Sequence, residues 1–158
     1  MTLRRRSASA ESTSSQPERQ CPDYVLDEQV GFLMRRAQQR HISIFQEMMG
    51  SHGPTPTQFA ALSKLADGEE ISQNQLGRMT AMDPATIKGV IARLAERGLV
   101  ERLSDPNDQR RVLIRLSEAG LAAMPKFFET AKAITVATLE PLSPGETKQL
   151  LALLARLC

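Results

Sequence analysis

The chain has 158 residues, of which 41% are hydrophobic and 24% charged, with a formal net charge of +2. That length suits one domain with a sizeable core, and so mild a charge does not by itself name a polyanionic partner. Two cysteines near opposite ends make no disulfide framework and fit a reducing cytoplasm, while no apolar run reaches membrane-spanning length.

Enzymatic chemistry finds little to work with. The two histidines, His41 and His52, come with no metal-spaced Cys/His set, no glycine-rich phosphate loop and no nucleophile beside a base. Neither catalysis, a metal nor a cofactor is expected.

Residues 1–23 are rich in Ser, Arg, Gln and Glu and read as a disordered tail. Its Arg4-Arg5-Arg6 run has no apolar segment after it, so it is not a secretory signal. From Val25 to about Met49 runs a long helical pattern with one apolar stripe through Leu26, Val30, Leu33, Ala37, Ile44 and Met48. A second face carries Phe32, Ile42, Phe45 and Met49, which predicts contact with both its own domain and a partner chain. Embedded here are Arg35, Arg36, Arg40 and His41, either solvated arginines around a satisfied core histidine or an anion pocket.

Gly50–Pro54 breaks the pattern. Thr55-Pro56-Thr57-Gln58 then reads as a capping box, followed by Phe59, Leu62, Leu65 and Ala66 on the buried side and Gly68 as a stop. Ser72-Gln73-Asn74-Gln75 reads as a second capping box opening a short helix with Leu76 and Met79 inward. Asp83-Pro84 starts the next helix after a few residues, so the two meet as a helix-turn-helix. Its residues Ile87, Val90, Ile91 and Leu94 form an apolar face, and Gly98 closes it as a left-handed cap. The opposite face shows Ala85, Thr86, Gly89, Ala92 and Arg93, with Lys88 to one side. Such small residues let a helix approach base edges, and Gly89 costs about 1 kcal/mol relative to alanine for that closeness.

Two strand-like runs follow, Leu99–Ser104 and Val112–Leu116, joined by the turn-rich tip Asp105-Pro106-Asn107-Asp108-Gln109-Arg110-Arg111. Helix, strand, basic hairpin, strand is the layout of a winged helix. Thr57, Ser72 and Gln73, at helix starts, are further candidates for phosphate contact. Ser117 begins a helix carrying Leu121, Met124, Phe128, Ala131 and Leu139, which Pro125 should bend or whose first turn it should end. Phe127 and Phe128 either wall a pocket or simply pack. Ser143-Pro144-Gly145-Glu146 is a third capping box, and the helix it opens has leucines at 150, 151, 153, 154 and 157, apolar on most sides. A helix that greasy requires burial on two sides.

Arg102-x-Ser104-Asp105-x-x-Asp108-x-Arg110-Arg111, followed by Leu116-Ser117-x-x-Gly120, resembles the wing signature of MarR-type transcriptional regulators, and Leu94-x-x-Arg97-Gly98-Leu99-Val100-x-Arg102 also matches that family. The resemblance spans nearly all of Val25–Leu157. It implies a mainly α fold with a small β wing, in which a winged helix-turn-helix at about 55–117 is flanked by dimerisation helices at about 25–50 and 118–157. It also implies a cytosolic homodimer on a pseudo-palindromic double-stranded operator, with no membrane partner. The wing arginine, Arg110 here, would enter the minor groove with Asp108 helping to hold it, and Arg111 would lie beside it.

The Arg35–His41 segment resembles, within that family, regulators of hydroxyphenylacetate, homogentisate and nicotinate catabolism. That branch implies repression relieved by a small aromatic carboxylate held between the first helix and the DNA-binding lobe. Arg35 would grip the carboxylate and His41 a ring hydroxyl, with Arg40, Phe45, Phe59 and Phe128 as further contacts. Two other readings keep the fold. One is an oxidant sensor using Cys21 and Cys158, and the other a winged helix that binds protein instead of DNA.

Overall fold

A computed structural model describes residues 24–106 and 108–157, apart from the side chains of Gln109 and Arg110. The tail 1–23 with Cys21, and the terminal Cys158, lie outside the described residues, as do the expectations placed on them.

Among the described residues the order is a 3-10 turn at Leu26–Glu28, α1 (Val30–Met49), α2 (Pro56–Leu65), β1 (Ile71–Ser72), α3 (Gln73–Met79), α4 (Pro84–Glu96), β2 (Val100–Asp105), β3 (Asp108–Leu116), α5 (Glu118–Leu139) and α6 (Pro144–Ala155). The first helix therefore begins five residues later than its apolar pattern suggests. Gln29 has extended backbone at φ −79°, ψ 131°, and this separates the 3-10 turn from α1.

Local start signals account for most helix boundaries. Thr55–Gln58 and Ser143–Glu146 form reciprocal capping boxes, and Asp83 and Ser117 cap α4 and α5. The expected box at Ser72 is only half made, since Ser72 Oγ accepts from the Gln75 N–H without a return bond from the Gln75 side chain. Gly98, at φ +69°, closes α4. Pro125 lies inside α5, well past its first turn, and the helix continues through it at the loss of one backbone donor.

The sheet is antiparallel in the order β1-β3-β2, with Ile71 opposite Ile114 and Val100 opposite Leu116. Two features depart from the sequence reading. β1 was not expected, and the hairpin tip is shorter because β3 begins at Asp108, where Asp105 pairs with it across an irregularity after Ser104. The core sits between this sheet and α2–α4. Leu62, Leu65, Leu76, Ile87, Ile91, Leu94 and Ile114 are fully buried there, each such side chain contributing about 1.5–3 kcal/mol of burial. α5 docks on this core through Met124. The docking needs Gly120, because a Cβ at that position would overlap the Leu99 carbonyl oxygen.

The remaining helices contrast with that lobe. α1 packs along α5, and Phe45 of α1 and Ile134 of α5 are buried. α6 buries none of its residues, and its leucines lie bare, up to 70% exposed at the following Leu157.

Candidate functional site

α4 carries the face the sequence predicts. Ile87, Val90, Ile91 and Leu94 are buried, Ala85, Thr86, Lys88 and Arg93 are exposed, and Gly89 and Ala92 lie half-buried between them. The fold itself makes no demand for glycine at 89. A Cβ there would meet only Arg93 Nη2, at 3.4 Å. At the helix start the Asp83 carboxylate accepts from the N–H groups of Ala85 and Thr86, each at 2.9 Å, and from the Thr86 hydroxyl at 2.5 Å. The Thr86 hydroxyl, and then the two N–H groups, hold this carboxyl below the ordinary value of 3.8. Its proton is committed to Asp83, so the exposed Thr86 hydroxyl is left to act as an acceptor.

Beside α4, the start of α3 and the tip-proximal part of β3 form a second polar surface, in which Arg111 is the cation. A cleft of about 350 Å³ is lined by Ser72, Gln73, Asn74, Asp108, Arg111 and Val112. Arg111 is half exposed and lies 3.6 Å (Nε to Oδ2) from the buried carboxylate of Asp105, which restrains it at the cleft. Ser72 itself is buried in β1, so its hydroxyl serves the α3 cap. Asn74 joins Arg111 in the cleft, though in the sequence it looks like an ordinary first-turn residue. Arg110 has its backbone in β3, and the expectation for its side chain lies outside the described residues. Thr57 is exposed in the first turn of α2, with its hydroxyl 3.1 Å from that of Thr55.

A different cluster joins α1, α2 and α5. His41 and Phe45 meet edge to face at 6.1 Å between ring centroids, Phe45 and Phe59 at 6.0 Å, and Phe59 and Phe128 at 6.0 Å. Phe45 is buried, whereas His41 and Phe59 are half-buried and Phe128 is partly open. His41 Nδ1 lies 3.0 Å from Thr138 Oγ1, which ties α1 to the end of α5. Arg40 donates there as well, to the carbonyls of Thr138 and Ala137, so its charge already serves the C-terminal end of α5. Arg35 is not brought to this cluster within one chain. It is exposed, with its guanidinium 5.8 Å from the Phe32 ring centroid. Phe127 packs against the main core.

Among the described residues no group of three or more His, Cys, Asp or Glu side chains is placed to hold a metal ion, and no helix is long and apolar enough to cross a membrane. The family model for the MarR family matches residues 55–112, which run from the α2 cap into the returning strand of the wing. The HTH-type transcriptional repressor NicR of Pseudomonas putida is 39% identical over 134 residues, covering 85% of both chains. The chain belongs to the MarR family. This is a family of transcriptional regulators, not of enzymes. Among solved structures, a probable transcriptional regulator from Pseudomonas aeruginosa superposes on this MarR-family chain with a TM-score of 0.81 at 48% identity, covering 85% of this chain and all of that one. BpsR of Bordetella bronchiseptica, whose DNA binding is regulated by 6-hydroxynicotinic acid, gives 0.80 at 39% identity, covering 85% and 96%.

Proposed function

We propose that this MarR-family regulator is a cytosolic repressor of an aromatic or N-heteroaromatic acid catabolic operon. It binds a pseudo-palindromic operator as a homodimer and is released by a small aromatic carboxylate. The operator half of the reading rests on the outer face of α4, where small residues are flanked by Thr86, Lys88 and Arg93 beside the Arg111 cleft. Two such faces related by a two-fold axis would read half-sites about one helical turn apart. Thr86, with its hydroxyl proton on Asp83, offers an acceptor and a methyl to base edges. Lys88, Arg93, Arg111 and the wing's Arg110 supply the phosphate and minor-groove contacts, and Gln73 adds a polar contact from the start of α3.

The effector half is carried by one observation, the row His41–Phe45–Phe59–Phe128 across three helices. A planar acid would find ring faces and an imidazole there, in a position that touches both the dimerisation helices and α2 of the DNA-binding lobe. The similarity to BpsR points the same way. Arg35 remains the candidate carboxylate partner, supplied as the dimer closes or as α1 turns on binding, since Arg40 is engaged with α5. Bound acid would favour a spacing of the two α4 helices that misfits the operator.

The test is operator binding by fluorescence anisotropy against a panel of hydroxybenzoates, hydroxyphenylacetates and hydroxylated nicotinates. At least one should weaken binding roughly tenfold or more. Arg35→Ala should keep operator binding and lose that release. If no acid on the panel alters binding, the effector reading fails while the DNA-binding one stands.

A further inference from the structure

Arg97 is the residue at which α4 ends, and its side chain reaches back across the α1–α2 connection. Its guanidinium donates to the His52 carbonyl at 2.6 Å, to the Gly53 carbonyl at 3.2 Å and to Gln58 Oε1 at 3.0 Å. All three acceptors belong to a tightly determined segment. Gly53 donates its N–H to the Gly50 carbonyl and lies so close to the end of α1 that a Cβ would overlap the Met49 carbonyl oxygen. Pro54 and Gln58 are buried, and Gln58 Oε1 also accepts from the Thr55 N–H in the α2 capping box. The connection is thus an extension of the end of α1, with little freedom to move by itself.

Gln58 is followed by Phe59, whose ring stands between Phe45 of α1 and Phe128 of α5. One short segment therefore carries, on adjacent residues, a ring of the aromatic row and an acceptor for the residue that caps the recognition helix. Main-chain carbonyls cannot swing aside as side chains do. A shift of α1 or α2 must either carry the end of α4 with it or break charge-assisted hydrogen bonds.

We propose that Arg97 is the positioning residue that couples the aromatic row to the recognition helix, holding α4 in register with the α1–α2 connection and passing movement between them. The idea rests on the effector reading above for its ligand, but the coupling itself is defined without one. By linkage, operator bound on α4 must be felt at residues 50–58 as much as the reverse.

The experiment compares the wild-type dimer with Arg97→Lys and Arg97→Met in two measurements, with thermal melting to verify folding. The first is operator affinity with and without 6-hydroxynicotinic acid, alongside the protein's own affinity for that acid. The acid should weaken wild-type operator binding about tenfold or more, and the variants less than about threefold, while acid affinity and acid-free operator affinity stay within about threefold of wild type. A residue that merely supported the fold would move all of these together. The second is amide hydrogen exchange in residues 50–58 with and without operator, in the absence of any acid. Operator should slow exchange there in the wild type and not in Arg97→Met. If that protection is absent from the wild type or survives the substitution, the coupling role is overturned. If the acid does nothing to the wild type while the Arg97-dependent protection is present, the choice of effector is wrong and the coupling stands.

Discussion

The two ends of this molecule are finished to different degrees. The lobe made by α2–α4 and the sheet closes on itself, with a continuous core from Leu62 to Ile114 and every helix start capped by a side chain within the same chain. The helices α1, α5 and α6, with the residues that follow α6, leave Val136 at 72% exposed and Leu157 at 70%, and α6 buries nothing. Apolar surface of that extent is stable in water only when something covers it. On the homodimeric reading proposed above, that cover is a second copy of the chain. On that reading the surface proposed to meet the operator is built within one chain, whereas its spacing from its twin would be set by the part the single chain leaves incomplete. A regulator gains by that division, since an effector can alter the spacing without disturbing the reading surface.

The sharpest way to break this contrast is to damage each end separately. Leu153→Glu with Leu157→Glu places charge where the partner would sit, and should leave a folded single chain by sedimentation with operator affinity reduced roughly 100-fold or more. Leu94→Ala, in the closed lobe where Leu94 is fully buried, should cost about 3 kcal/mol in thermal or denaturant unfolding while the dimer mass is retained. If this C-terminal pair leaves the mass unchanged, the α6 end of the chain is not the covered surface.

A smaller effect sharpens the account of the reading surface. Since nothing in the fold needs glycine at 89, Gly89→Ala should raise stability by about 0.5–1 kcal/mol. The same change should weaken operator binding, because the added methyl stands on the face proposed to approach the bases. Melting and anisotropy measured on one preparation should move in opposite directions. A stabilised variant with unchanged affinity would take Gly89 out of the interface.

The smallest effect concerns Asp83. Its carboxyl is held below the ordinary value by the Thr86 hydroxyl and by the N–H groups of Thr86 and Ala85, so folding favours the ionised form. The stability this adds is complete above the ordinary value of 3.8 and is lost as pH falls through the lowered value in the folded state. Asp83→Asn, which can cap but not titrate, should show a shallower fall in melting temperature between about pH 5 and pH 2 than the wild type. Parallel curves would show that the cap charge does not act on stability.

How much of this was legible beforehand follows from how local each signal is. Asp83-Pro84, Thr55-Pro56-x-Gln58 and Ser143-Pro144-x-Glu146 each state a helix start within four residues, and the structure has all three. The apolar face of α4 and the hairpin after it are equally local. β1 is two residues long and exists because β3 passes beside it, so no pattern in Ile71–Ser72 announces it. The half-made cap at Ser72 has the same origin, since Ser72 belongs to the strand as well as to the helix start. The aromatic row takes rings from three helices far apart in the chain, and Arg97 binds two backbone carbonyls, which have no side-chain signature at all. Arg35 shows the reverse case, a residue singled out by resemblance that the single chain leaves on its surface beside Phe32.

The central claim is that paired α4 faces and wings grip one duplex through its bases and phosphates. Titrating the full-length wild-type protein into its operator across a range of salt concentrations, with mass measured on the complex, tests it most directly. The account predicts two chains, or a multiple of two, per pseudo-palindrome, and an affinity that falls steeply with salt, with a log–log slope that Arg111→Ala reduces by about 1. A single chain on the duplex, or binding indifferent to salt, would contradict it.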